Sequence, residues 1–352
     1  MTEQTGKIQT VLGLIDPDRL GVTSTHEHLF IDLQPIHSPP QESSARHLYY
    51  EQLSQDNIGY VRHYNLYNLD NVQLTEVDTA ITEAALYKRH GGDAIVDATS
   101  IGIARDPVGL TRISRATDLH IIMGSSFYVD EAHPGNMANR SEKDLSEEII
   151  RDITEGVGPH RVKSGIIGEV GCSWPLTENE RKVLRASTYA QRVTGATMLI
   201  HPGRNELAPL EIIDIIDQSG GDLGRTIIGH LDRTVFERST LTQIAQAGCY
   251  LEWDLFGRET SSYPMNPTIQ MPSDAKRIED IGWIISEGYQ NKVVVAQDIC
   301  TKDRLVTYGG HGYAYLPSQI APRMRLEGYS EEYVHNILVD NPATALTFAP
   351  PE

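Results

Sequence analysis

Val293-Val-Val-Ala-Gln-Asp298 and Ile227-Ile-Gly-His230 are short apolar runs, each ending in a carboxylate or an imidazole. Neither alternates apolar with polar residues. Strands of a parallel sheet covered on both faces read this way, whereas a half-exposed strand alternates. Working outward, runs of the same kind occur at Val22–His28, Ala94–Thr99, His120–Ser126, Ser164–Gly171, Ala196–His201, Arg225–Leu231, Cys249–Leu255 and Lys292–Ile299. Amphipathic helical stretches lie between them. Thr75–His90 stops at the C-cap signal Gly91-Gly92, and Thr177-Glu-Asn-Glu180 has capping-box spacing and opens a helix to about Thr194. Similar segments cover Pro209–Gln218, Thr240–Ala247, Asp274–Glu287 and Ser330–Val339.

Eight strands alternating with helices predict an α/β fold, a closed (β/α)8 TIM barrel, in one domain over residues 1–352. The competing doubly wound sheet is weakened because no Gly-x-Gly-x-x-Gly follows the first strand. Two stretches read as long active-face loops: Gln34–Asn71 after strand 1, and Phe256–Ser273 after strand 7 with Pro264, Pro267 and Pro272. The net charge of −18 over 352 residues argues against nucleic-acid and anionic-membrane partners, which need a basic surface. It leaves room for a small anionic substrate held in a local cationic pocket. Three cysteines with no Cys-x-x-Cys predict no disulfide framework. No signal-like or membrane-length apolar run is present, so a cytoplasmic location is expected.

The polar exceptions all sit at strand ends. His26 and His28, in Thr25-His-Glu-His-Leu29, lie two apart on an extended strand, so both point one way, about 7 Å apart. Glu169 lies in Gly165-Ile-Ile-Gly-Glu-Val-Gly171, His201 ends strand 5, His230 ends strand 6 and Asp298 ends strand 8. Such groups at the edge of an apolar strand are costly unless paired or bound to metal. Six of them on the face where barrel sites form point to a metal centre. Four nitrogens and two carboxylates suit zinc or a similar divalent ion.

With these residues in view, the chain resembles the phosphotriesterase family of the amidohydrolase superfamily, and within it the phosphotriesterase-related branch. The resemblance runs from Gly6-Lys-Ile-Gln-Thr-Val-Leu-Gly13 to Asn341-Pro342. It is densest in Thr25–Leu29, Gly165-Ile-Ile-Gly-Glu-Val-Gly-Cys-Ser-Trp-Pro-Leu-Thr177, His201-Pro-Gly-Arg204, Gly229-His-Leu-Asp-Arg-Thr234 and Tyr308-Gly-Gly-His-Gly-Tyr313. It implies two divalent metal ions, with His26, His28 and Asp298 on the more buried one, His201 and His230 on the other, and Glu169 bridging. The phosphotriesterases themselves use a carboxylated lysine as the bridge. Here Lys163 lies too early, and Glu169 supplies the carboxylate, which puts phosphotriester hydrolysis in doubt.

Two divalent ions less two carboxylates would leave a charge of about +2 to stabilise a bridging hydroxide as nucleophile, with Asp298 as the catalytic proton shuttle. The branch is associated with hydrolysis of N-acetyltaurine to taurine and acetate, and the resemblance implies that amidohydrolase activity here. A lactonase or phosphoester hydrolase, and a non-catalytic metal-binding protein, are the alternatives. The expected partner is a small anionic N-acyl substrate, with a homodimer left open. Candidate anion-binding residues are Arg105, Arg204 and Arg233, with Lys302 and Arg304 also near strand ends. Tyr128 and Tyr313 are candidates to line the pocket.

Overall fold

A computed structural model describes residues 3–37, 39–40, 42–260 and 263–352. All eight expected strands are present: β1 Thr23–Glu27, β2 Ala94–Asp97, β3 His120–Met123, β4 Ile167–Gly171, β5 Met198–His201, β6 Thr226–Ile228, β7 Tyr250–Trp253 and β8 Val293–Val295. They pair in parallel in the order β1-β2-β3 and β4-β5-β6-β7-β8. Two irregular seams close the ring. At one, Gly165 N–H donates to Met123 O (2.9 Å) and Gly168 N–H to Ser125 O (3.0 Å). At the other, Asp298 N–H donates to His26 O (3.0 Å) and Thr25 Oγ1 to Val295 O (3.0 Å). The fold is a (β/α)8 barrel.

Burial on both strand faces explains the apolar runs. One cluster gathers Val96, Ile122, Leu199, Ile227, Tyr250 and Val294, which can meet only inside a closed ring. Their neighbours Met198, Ile200, Ile228, Leu251, Val293 and Val295 belong to a second cluster outside it, against the helices. Seven helices follow β1 to β7 in turn: α1 Val77–Arg89, α2 Pro107–Thr117, α3 Glu142–Thr154, α4 Glu178–Thr194, α5 Ala208–Gln218, α6 Arg238–Gln246 and α7 Asp274–Ser286. Thr177 and Glu180 form the expected capping box. The helices α2 and α3 were outside the sequence expectation, although Asp106 and Ser141 cap them. Ser330–Val339 resolves into Glu331–His335 and a π-helical turn, Asn336–Asp340.

Several expected strands overran their carboxyl ends: strand 3 stops at Met123 and not Ser126, strand 6 at Ile228 and not Leu231, strand 7 at Trp253 and not Leu255, and strand 8 at Val295 and not Ile299. Beyond strands 6 and 8, His230 and Asp298 take left-handed φ of 53° and 48°, so the extended backbone does not continue through them. The loop after β1 carries two short helices, Arg46–Tyr50 and Ile58–His63, and Ile31–Asp32 pairs with Gln73–Leu74 beside it. Residues 38, 41 and 261–262 of the two long loops lie outside the described residues. Among those that are described, no helix is long and apolar enough to cross a membrane.

Candidate metal centre

All six residues expected at the centre converge at the carboxyl ends of the strands. Glu169, on β4, is the hub. Its Oε2 lies 2.7 Å from His201 Nδ1, 3.4 Å from His26 Nε2 and 3.5 Å from His230 Nε2, and its Oε1 lies 3.3 Å from His28 Nε2. Asp298 Oδ1 stands 3.2 Å from His28 Nε2. The rings of His26 and His28 lie 5.7 Å apart, as same-face positions on one strand require. All six are buried.

The outward ring nitrogens are held by acceptors that set each imidazole's orientation. Thr99 Oγ1 lies 2.8 Å from His28 Nδ1. Asp254 Oδ1 lies 2.8 Å from His230 Nδ1, while its Oδ2 accepts from His230 N–H (2.7 Å) and lies 3.1 Å from His26 Nδ1. Glu252 Oε2 lies 3.2 Å from the same His26 nitrogen. With Nδ1 donating outward, Nε2 of His26, His28 and His230 is the nitrogen aimed inward, where a cation would take the place of its proton. Glu252 and Asp254 escaped the sequence reading, although Glu252-Trp-Asp254 repeats the same-face spacing of His26-Glu-His28 at the end of β7.

Protonation shows how strongly these groups interact. Burial works against the His28 imidazolium, but Asp298 and Glu169 outweigh it and lift the group to about 9. Burial takes the His201 imidazole down to about 3, with Glu169 opposing and His230 adding to the fall. Burial pushes the Asp298 carboxyl up, yet the imidazoles of His28, His230 and His26 hold it below the usual carboxylate range. Asp298 therefore stays ionised. Burial raises the Glu252 carboxyl to about 7.

A divalent cation suits this donor set. His26 Nε2 is buried without a hydrogen bond, an orphan that a cation would satisfy. Three overlapping groups have ligand atoms within 4.8 Å of one another: His26, His28 and Asp298; Glu169, His201 and His230; and His26, His230 and Asp254. One contact must open on loading. Arg233 Nη2 donates to His201 Nε2 at 3.1 Å, whereas a cation on Nδ1 would place the ring proton on Nε2.

The centre floors a cavity lined by Tyr128, Arg204, Arg233, Arg258, Tyr263 and Cys300 as well as by His28, His201, His230 and Asp298. Tyr128 is where it was expected, its Oη 3.4 Å from His201 Nδ1. Arg258 and Tyr263, from the loop after β7, were not foreseen. The expectation that Arg105 serves the pocket is corrected: its guanidinium turns away to Asp152 (2.8 Å) and Gly124 O (2.9 Å). Tyr313 stands behind His28, donating to its carbonyl at 2.7 Å. The three cysteines are free and buried.

A closed (β/α)8 barrel with buried imidazoles and carboxylates at its strand ends is the architecture of a metal-dependent hydrolase. The chain belongs to the Phosphotriesterase family, whose sequence model matches residues 6–346, and it is a hydrolase. It is 44% identical to a phosphotriesterase-related protein of Nematostella vectensis over 97% of this chain and 99% of that one. It is 42% identical to the N-acetyltaurine hydrolase of Homo sapiens over 99% of this chain and 100% of that one. Among solved structures, a resiniferatoxin-binding protein from Rhodobacter sphaeroides superposes with a TM-score of 0.94 at 32% identity, covering 98% of each chain.

Proposed function

We propose that the protein hydrolyses the amide of N-acetyltaurine, or of closely related N-acyl amino acids, releasing acetate and the amine. The observation that carries this reading is the convergence of four imidazoles on Glu169, with Asp298 against His28. Relatives at 42–44% identity over nearly the whole chain that are named N-acetyltaurine hydrolases support the choice of substrate. His26, His28 and Asp298 would hold one divalent cation, His201 and His230 the other, and Glu169 would touch both; zinc suits these donors. Bound there, the cations would acidify water and polarise the acyl carbonyl.

The chain's own groups perform the proton transfers. Asp298 is ionised, so it can take a proton from the attacking water as the C–O bond forms. It then delivers that proton to the amide nitrogen as the C–N bond breaks, since an amine leaves only when protonated. Tyr128, its hydroxyl beside His201, faces the cavity and can donate to the acyl oxygen. Asp254, Glu252 and Thr99 fix the imidazoles so that no reorganisation accompanies the reaction.

The test is taurine release from N-acetyltaurine by the zinc-loaded protein, run beside a γ-lactone and an aryl phosphotriester. Turnover of the lactone with the amide untouched would replace this reading. Asp298→Asn is expected to lose most turnover, by about 100-fold or more for loss of a positioned proton carrier. Metal analysis is expected to find about two divalent ions per chain, and a single tightly bound ion would refute the bridging role of Glu169.

A further inference from the structure

The proposed function does not say which group receives the sulfonate, and the cations near the cavity differ in how far they are committed. Arg105 is paired with Asp152. Arg233 gives Nη1 to Pro202 O (3.2 Å) and Thr234 Oγ1 (3.1 Å), and Nη2 to His201 Nε2. Lys302 binds Asp70 at 2.6 Å, and Arg304 donates to Gln297 O (2.5 Å) and Phe256 O (2.6 Å). Arg204 is different. Its Nε donates to Tyr263 Oη at 2.7 Å, and among the described residues its Nη groups have no acceptor and no carboxylate within 4.0 Å.

Arg204 lines the cavity above the centre. A partly buried guanidinium whose four Nη N–H groups find no acceptor and no counter-ion among the described residues is costly unless a ligand supplies the anion. Tyr263 is buried beside it, held in the apolar cluster of Leu255 and Met271. Because its oxygen accepts from Arg204, its O–H remains free to donate among the described residues. Resting on the reading above, we infer that Arg204, backed by Tyr263, is the anchor for the substrate's sulfonate and sets the preference for anionic substrates. Two Nη donors and one phenolic donor match the three oxygens of a sulfonate better than the two of a carboxylate.

The experiment pairs binding with kinetics on the metal-loaded protein. Calorimetry with N-acetyltaurine on an Asp298→Asn background is expected to show Arg204→Met weakening binding about 10- to 100-fold, with Arg204→Lys recovering part of it. On the otherwise wild-type protein, kcat/KM is compared between N-acetyltaurine and the neutral N-acetylethanolamine. Arg204→Met is expected to erase the preference for the sulfonate through KM rather than kcat, a change that general damage to the fold would not produce. Equal losses on both substrates, or a retained preference, would overturn the assignment. So would tighter binding of N-acetyl-β-alanine, the carboxylate of the same chain length.

The two readings fail separately. If the wild type binds N-acetyltaurine through Arg204 without hydrolysing it, the anchor stands and the amidase reading falls. If it hydrolyses N-acetyltaurine and Arg204→Met leaves KM unchanged, the anchor falls alone. Should Arg204→Met not fold, judged by circular dichroism, Arg204→Lys and Tyr263→Phe carry the same comparison with smaller expected losses of preference.

Discussion

Asp254 touches no substrate, yet Asp254→Asn is expected to cripple the centre. Its two oxygens meet three donors: His230 Nδ1 at 2.8 Å, His230 N–H at 2.7 Å and His26 Nδ1 at 3.1 Å. Asparagine has one acceptor oxygen and must turn its NH2 toward one side. If the NH2 replaces Oδ2, the buried backbone N–H of His230 loses its acceptor at a residue already in a left-handed conformation. A buried donor left unsatisfied costs about 1–3 kcal/mol. With an unfolding entropy of about 2 cal/mol/K per residue, that loss lowers the melting temperature of a 352-residue chain by roughly 1–4 °C. The same NH2 meets His26 Nδ1 as a donor and leaves Glu252 Oε2, 3.2 Å away, as the acceptor that keeps the proton on Nδ1, so the lone pair aimed at the cation is held less firmly. Replacing such a supporting carboxylate typically costs about 10- to 100-fold in metal affinity. If the NH2 instead replaces Oδ1, His230 Nδ1 faces a donor in place of its carboxylate acceptor and the ring proton moves to Nε2, so either orientation weakens one imidazole. The assay is metal retention against a graded chelator series, read by elemental analysis, alongside a thermal melt. A variant that melts lower but holds both ions as tightly as the wild type would refute the tautomer reasoning.

Three further outcomes are expected. Burial pushes the Tyr263 phenol up, but Arg204, Arg233 and Arg258 around it outweigh this and bring it down to about 8; above that pH the phenolate becomes the counter-ion of Arg204, so KM for an anionic substrate is expected to rise. The rise should vanish in Tyr263→Phe, and a KM–pH profile with ultraviolet titration of the phenolate checks it. The Glu27 carboxylate accepts from Gln297 N–H (3.0 Å) and Ile299 N–H (2.9 Å) across the β8–β1 seam, so Glu27→Gln should cost about 1–3 kcal/mol in urea unfolding and displace Asp298 relative to His26. Arg105→Ala breaks a buried pair with Asp152 and should cost about 3–5 kcal/mol of stability with KM unchanged; a raised KM would return Arg105 to the pocket.

What could be read from the chain depended on how local the cause was. A strand covered on both faces must be apolar throughout, so Val293–Val295 and Ile227–Ile228 announce themselves without knowledge of their neighbours. A histidine closing such a run stands out because its burial needs a reason within a few ångströms, and six such reasons on one barrel face can be a single cation or pair of cations. Strand ends were drawn too long, among them those at His230 and Asp298, where the backbone bends. Glu252 and Asp254 carried the same signal and were readable in principle.

The arginines were not readable, for a different reason. Position after a strand places a Cα, whereas the guanidinium ends several bonds away and goes to whatever acceptor the fold supplies. For Arg105 that acceptor is Asp152 on α3, 47 residues along the chain. For Arg204 it is Tyr263, brought from the loop after β7 by contacts that leave no periodic trace. The division has a functional counterpart. The groups that would activate water are fixed by strand backbones and by one another, so they tolerate little change. The groups that would choose the substrate hang from two loops whose pairing is set by Arg204 and Tyr263. Specificity in this barrel is therefore expected to move by substitution in the loops after β5 and β7 while the centre keeps its geometry.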